Sequence, residues 1–353
     1  MRAAVLTGHG DLDRLEVRDD VPVPAPAPDE VLIEVRACGI NNTDINTRTG
    51  WYAKSVSGST SDAGAGPGVD GSWSGEIRFP LIQGADPVGR IVEVGETVDP
   101  GRIGERVLVD PWMRDPSGEQ EQVGYLGSER DGGYSEYVAV PSINAHPVIS
   151  DLTDAELASF PCSYSAAENM LDRAGVAAGQ WVLVTGASGG VGSALIQLAK
   201  RRGASVLALT SAGKFDTVTE LGADEVIDRR HESLRDAVFD ATGGVDVFAD
   251  VVGGELFPIL LETIRRGGHY TTAGAIAGPI VELDLRTLYL NDLTMHGATV
   301  FPPEVFVDLV GYIERGEVRP VVAETFPLER VRGAQRAFLD KDHVGAIVLE
   351  IGD

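Results

Sequence analysis

The chain has little cysteine, little lysine and no long apolar run. Cys38 and Cys162 are its two cysteines in 353 residues, too few for a disulfide framework or a four-cysteine zinc site. Lysine stands at four positions, Lys54, Lys200, Lys214 and Lys341, and 29 basic residues face 54 acidic ones for a formal charge of -25. Nucleic acid and anionic membranes are poor partners for such a surface. No stretch approaches the roughly 18 apolar residues a membrane span needs. The opening MRAAVLTGHG has no leader-like apolar segment after its arginine, so a soluble, cytoplasmic protein is expected. Two explanations of the acidity stay open: a high-salt cytoplasm that screens self-repulsion, or a GC-rich genome that favours Arg, Ala and Gly over Lys.

What is present is an ordinary globular composition, 43% hydrophobic, in a chain long enough for two or three domains. The most informative stretch is residues 181–200, WVLVTGASGGVGSALIQLAK. An apolar run stops at a glycine-rich turn, Gly186-Ala187-Ser188-Gly189-Gly190-Val191-Gly192, and resumes at helical spacing in Ala194, Leu195, Leu198 and Ala199. Strand, turn and helix in that order present free N–H groups and a positive dipole end to a pyrophosphate, and glycines let the backbone come close to it. The implied ligand is a dinucleotide.

Residues 1–151 read as a compact β domain, with AAVLT, LEVRDD, EVLIEVRACGI, GRIVEVGE, ERVLV and YSEYVAV set apart by Gly, Pro and Asp signals. The proline-rich VPVPAPAPDE reads as an extended connection between strands. Residues 55–75 are dominated by Gly, Ser, Ala and Asp and directly follow Trp51-Tyr52; a loop of that length is either a surface excursion or a lid. From residue 152 to 300 the rhythm becomes alternating strand and helix: WVLV, SVLALT, EVID, VDVFADVVGG, GHYTTAG and LTMHGATV are six strand candidates. They predict a doubly wound parallel sheet, and the glycine-rich turn follows its first strand. Residues 301–353 add a helix and close on the strand AIVLEI, which is expected to return to the first domain and complete it.

With GADPVGRIVEVGE, GERVLV, DGGYSEYVAVP, VTGASGGVGSALIQLAK, LGADEVID and VDVFADVVGG in place, the chain resembles the medium-chain dehydrogenase/reductase superfamily over essentially its full length. The resemblance implies an α/β protein, a GroES-like N-terminal β-barrel domain joined to a Rossmann doubly wound parallel sheet. Where the superfamily's zinc enzymes carry a ligating Cys this chain has Asn41, and where they carry His-Glu it has Ala85-Asp86. Cys162 matches the third ligand position, and residues 112–132 contain no cysteine for a structural zinc lobe. One ligand of three cannot hold a catalytic zinc, so no metal is expected.

Asn41-Asn42-Thr43-Asp44, Arg48, Gly50 and Tyr52 resemble instead the N-x-x-D-x-x-x-R-x-G-x-Y segment of the zinc-free quinone oxidoreductases. Carried over, Asn41 would hydrogen-bond the substrate carbonyl, Asp44 would help order the site and Tyr52 would orient substrate or donate a proton. Asn and Asp also cap helices, and that alternative stands for Asn41 and Asp44. The second Rossmann strand ends in Thr210-Ser211 without the carboxylate usual for NAD. With Lys214 nearby and Arg229 after the third strand, a 2′-phosphate and hence NADPH is expected; solvated, uncommitted roles for Lys214 and Arg229 remain the alternative. The superfamily's threonine near the nicotinamide-side phosphate falls at Ala166, beside Ser165, and the loop Thr272-Ala273-Gly274-Ala275 is expected to border the nicotinamide.

The function expected is hydride transfer from NADPH to a quinone or enone without zinc. The alternatives are an enone or enoyl-thioester reductase or alcohol dehydrogenase-like enzyme of the same superfamily, and an NADPH-binding protein with a structural or regulatory role. The resemblance further implies a homodimer through the sheet edge at residues 293–300.

Overall fold

The computed structural model describes residues 1–61, 77–113 and 124–352. Two compact units divide the chain: Met1–Val56, Asp62–Cys162 and Phe306–Asp353 form the first, Ser57–Ser61 and Ser163–Val305 the second. The Gly/Ser-rich stretch expected to be a loop or lid lies outside the described residues from position 62 onward.

The first unit is built on its longest strand, β1 (Glu30–Ile40). β2 (Asp86–Val94) runs antiparallel along nearly all of it, with register shifts at Leu32/Ile33 and Val35/Ala37, the irregularities that let a sheet bend and twist toward closure. β3 (Arg106–Val109) extends the sheet beyond β2, β4 (Tyr137–Pro141) pairs with the first half of β1, and β5 (Ala145–Pro147) lies beside β3. Val31, Ile33, Val35, Ile91, Val107, Val109, Val138 and Val140 are buried in one core. The Val and Ile of the sequence segments therefore do what β-branched residues do best, packing a pleated surface. At the end of β1 the chain turns into α1 (Asn42–Thr49), which Gly50 terminates in the left-handed conformation at φ 71°.

Helix α2 (Pro161–Arg173) begins with proline, whose missing N–H costs nothing at a first helical position. The second unit follows: β6 (Trp181–Val184), α3 (Gly190–Arg201), β7 (Ser205–Thr210), β8 (Glu225–Asp228), β9 (Val245–Asp250), β10 (Ile264–Thr272) and β11 (Thr294–Gly297). The strands lie all parallel, in the order β8-β7-β6-β9-β10-β11. The order reverses at β6, between β7 and β9, which makes its carboxyl end the switch point where doubly wound sheets bind ligands. Leu183, Leu207, Val245 and Phe248 are buried, as strands covered on both faces require. β11 is the outer strand of this sheet, and Met295 on it is 38% exposed.

The C-terminal segment returns to the first unit. β13 (Ala346–Glu350), the AIVLEI strand, pairs antiparallel with the second half of β1, Ile347 opposite Ile40. Two elements absent from the sequence reading accompany it: β12 (Val322–Pro327), parallel to β13, and α4 (Val331–Asp340). α4 buries Val331, Ala334, Gln335 and Phe338. Gln335 is the polar member of that face, and it accepts a hydrogen bond from Arg48 Nε of α1 at 2.9 Å.

Candidate functional site

In the first unit the fold collects polar groups around the β1–α1 junction. Asn41 precedes α1 as its N-cap, and its backbone N–H donates to Asp44 Oδ2 at 2.8 Å. The other Asp44 oxygen accepts from the Gly84 N–H at 3.2 Å, and the Asp44 carbonyl accepts from Gln83 Nε2 at 2.7 Å. Asp44 therefore has the capping role weighed for it, and it also ties α1 to the 83–84 loop. Arg48, one turn on, is buried; besides Gln335 it reaches the Gly10 carbonyl at 2.7 Å. The Arg of the motif is thus a strut between chain ends.

The Asn41 side chain faces a residue to which the sequence reading gave no role. Asn41 Nδ2 donates to Asp86 Oδ2 at 2.8 Å, while Asp86 Oδ1 accepts from the Cys162 backbone N–H at 2.9 Å. That second bond satisfies one of the orphan donors in the first turn of α2. The Cys162 thiol accepts from the Tyr125 hydroxyl at 3.1 Å, and Tyr125 packs edge-on against Trp112. Tyr52, in the turn after α1, packs edge-on against Trp51, and burial raises its phenol against the lowering effect of a hydrogen bond with Asn46. Asn41 and Asp44 are thus brought together with Asp86, Cys162 and Tyr125, and Tyr52 lies in the turn that follows α1.

Burial dominates the electrostatics of this cluster. It pushes the Asp44 carboxyl up to about 6, against the lowering effect of the Asn41 N–H. Asp86 is pushed up further, to about 8, by burial and by the nearby Asp44 charge. The Cys162 thiol rises well above its ordinary value through burial and the Asp86 charge, and burial likewise raises the Tyr52 phenol. Burial therefore favours the neutral forms of the Asp86 carboxyl, the Cys162 thiol and the Tyr52 phenol.

In the second unit the turn after β6 has the geometry a dinucleotide needs. Gly186 adopts φ +60°, the Gly189 N–H closes the turn on the Gly186 carbonyl at 2.9 Å, and no side chain caps α3 at Gly189. A Cβ on Gly192 would lie 2.1 Å from the Gly186 carbonyl oxygen, so only glycine lets α3 pack this closely on the turn. Ser188, Gly189, Gly190 and Val191 occupy the turn and the start of α3 and are all partly exposed. Asp250, at the end of β9, braces the edge: it accepts from Thr185 Oγ1 at 2.5 Å, the Val252 N–H at 2.8 Å and the Tyr270 hydroxyl at 3.1 Å. The loops after β9 and β10 join through Ile276 N–H to Val251 O and Ala277 N–H to Val252 O. Gly274 and Ala275 therefore stand at the carboxyl edge, beside the switch point.

At the end of β7, Thr210 is buried and its carbonyl accepts from the Arg229 N–H at 2.9 Å. Ser211 and Lys214 are joined by their own backbone bond of 2.9 Å. These four residues are brought to one corner, and Arg229 is exposed there.

Comparison with known proteins settles the family. The alcohol dehydrogenase GroES-like domain matches residues 27–150, and the zinc-binding dehydrogenase domain matches residues 190–315. A solved structure from Sinorhizobium meliloti, provisionally described as an alcohol dehydrogenase, is 48% identical, covers 100% of this chain and 97% of its own, and superposes with a TM-score of 0.92. The chain is a medium-chain dehydrogenase/reductase. A quinone oxidoreductase of Lama guanicoe is 29% identical over 95% of this chain and 92% of its own length. An acryloyl-coenzyme A reductase of Sulfurisphaera tokodaii is 28% identical over 99% and 100%.

In this dehydrogenase/reductase, Asn41, Ala85 and Cys162, the positions that the resemblance matches to zinc ligands, carry a carboxamide, a methyl group and a thiol. Among the described residues no group of three or more His, Cys, Asp or Glu is arranged to hold a metal ion. The residues that sequence reasoning missed, Asp86, Tyr125 and Asp250, each depend on contacts far along the chain. Only Asp86 carried a signal, a carboxylate between Ala85 and Pro87 at the start of a strand whose other charges, Arg90 and Glu93, come four or more residues later. For this oxidoreductase no described helix is long and apolar enough to cross a membrane.

Proposed function

We propose that this chain is a zinc-independent, NADPH-dependent reductase that transfers hydride to a quinone or another conjugated carbonyl. The observation that carries the proposal is the donor set of the cluster: the Asn41 amide is engaged by Asp86, and the Cys162 thiol, which would bind a metal only as thiolate, is pushed up by burial. A catalytic zinc requires three protein ligands and an open position, and Asn41, Ala85 and Cys162 do not fit it. An acceptor reduced here must bring its own electrophilicity, as conjugation provides. The names of the llama and Sulfurisphaera relatives, a quinone oxidoreductase and an acryloyl-thioester reductase, support that choice of acceptor. The Sulfurisphaera relative favours enoyl thioesters as the second reading.

The turn at residues 186–192 fits a nicotinamide dinucleotide, which supplies the hydride when bound. The α3 N–H groups bind its pyrophosphate; Gly274 and Ala275 border the nicotinamide end. Thr210, Ser211, Lys214 and Arg229 receive the 2′-phosphate, a charge-assisted contact. Asn41 donates an N–H to the substrate oxygen, where negative charge develops, and Tyr52, kept protonated by burial, orients that oxygen. Asp44 holds α1 and hence Asn41 in place.

A substrate panel with NADPH consumption as readout tests the reading on the metal-analysed protein. Turnover of quinones by zinc-free enzyme is the expected result, and turnover of enoyl thioesters alone favours the second reading. Tight NADPH binding without turnover of any acceptor, or activity that requires stoichiometric zinc, sinks both. For the cofactor, Lys214→Ala should weaken NADPH binding about tenfold while changing NADH binding less than about twofold. Equal losses in a titration of both nucleotides would remove the 2′-phosphate role.

A further inference from the structure

We propose that Asp86 is a positioning residue of the reductase site, whose carboxylate sets which end of the Asn41 carboxamide is presented to the substrate oxygen. The inference rests on Asn41 acting on that oxygen, as proposed above. Each Asp86 oxygen has its own partner on a different element: Oδ2 takes the Asn41 side-chain N–H, and Oδ1 takes the Cys162 backbone N–H in the first turn of α2. The Cys162 donor belongs to the main chain and cannot turn away, so the Asp86 carboxyl plane is fixed, and with it the point at which Asn41 must bond.

The surrounding fold makes room for this arrangement. Gly39 stands opposite Asp86 in the β1–β2 register. A Cβ there would lie 2.4 Å from the Ala158 carbonyl oxygen and 2.9 Å from Asp86 Oδ2, so β1 is bare where the carboxylate sits. Asn41 is then held twice, through its main chain by Asp44 and through its side chain by Asp86. A carboxamide offers donors at one end and an acceptor at the other. Without the carboxylate only the capping-box contact between the Asn41 side chain and the Asp44 main chain opposes a turn of the amide, and orientation of this kind is what a hydrogen bond to a developing oxyanion depends on.

The test is a double-mutant cycle read as kcat at pH 9, with the Asp86 carboxyl ionised. In Asp86→Asn the introduced amide oxygen must still meet the Cys162 N–H, which leaves an NH2 group facing Asn41 and reverses its carboxamide. The expected result is a folded protein with kcat about tenfold lower and nucleotide Kd unchanged within about twofold. In an Asn41→Ala background, itself slower by about tenfold, Asp86→Asn should change kcat less than about twofold. Asp86→Ala, which removes the anchor instead of reversing it, should behave the same way in the cycle. Additive losses, or an Asp86→Asn enzyme as fast as the parent, overturn the positioning role. An Asn41→Ala enzyme with unchanged kcat overturns the underlying role of Asn41 instead, so the two failures are told apart.

Discussion

Gly192→Ala is expected to abolish tight nucleotide binding while the first unit keeps its fold. The added methyl would lie 2.1 Å from the Gly186 carbonyl oxygen and 2.6 Å from the Ala187 Cα, both parts of the main chain. Neither can step aside as a flexible side chain would, so α3 must move off the turn. The N–H groups at the start of α3 then no longer converge on one point, and a loss of at least about 100-fold in affinity, roughly 2.7 kcal/mol, is expected. Gly189→Ala is the control. A Cβ there meets only the Gly186 carbonyl at 3.4 Å, and φ at that position is -80°, so the melting temperature should match the parent. Titration of the two variants with each nicotinamide dinucleotide, alongside thermal unfolding, checks the prediction; a Gly192→Ala protein that binds nucleotide like the parent would show that the close packing of α3 on the turn is not what shapes the site.

That glycine was legible in the sequence because its role is local: strand, turn and helix follow one another within 20 residues. The same holds for the six parallel strands, read from their alternation with helical stretches, and for the C-terminal strand, whose apolar run had no partner in the alternating series. β12 was not legible because its sequence, VAETFP, alternates poorly and four of its six residues are exposed. α4 was not legible because three arginine and aspartate positions mask a narrow apolar stripe. The polar cluster at the β1–α1 junction shows the same limit. Asn41, Asp44 and Tyr52 share one motif and could be read together, whereas the Asn41–Asp86 and Asp86–Cys162 contacts span separations of 45 and 76 residues. Resemblance to the zinc enzymes drew notice to what is missing at positions 41 and 85. It said nothing of what the neighbouring Asp86 carboxylate does, because that depends on burial and on which donors the fold aims at it.

The two buried aspartates are expected to respond in opposite directions to the same substitution. Asp86 is pushed up from its ordinary 3.8 to about 8 in the folded protein. Between those values the unfolded chain has released the proton that the native state keeps, so its contribution to stability is fully present below about pH 4 and is lost as pH rises toward 8. The loss accrues at about 1.4 kcal/mol per pH unit at most, discounted by whatever relaxation the ionised form finds. Asp44 adds a smaller loss of the same sign between 3.8 and about 6. Asp86→Asn removes the larger loss and keeps a complementary hydrogen-bond set, because its amide can donate to a turned Asn41 and accept from the Cys162 N–H. Its melting temperature should exceed the parent's by several degrees at pH 8.5 and by little at pH 5. Asp44→Asn cannot do this. Both Asp44 oxygens accept from backbone N–H groups, those of Asn41 and Gly84, and an amide offers one acceptor for two fixed donors. A cost of about 1–3 kcal/mol at neutral pH follows from the unpaired donor. Thermal melts of the parent and both variants from pH 5 to 9 decide the matter. A parent whose stability rises through that range, or an Asp86→Asn protein destabilised at pH 8.5, would mean that the Asp86 carboxylate is stabilised in the fold by a charge partner rather than strained by burial.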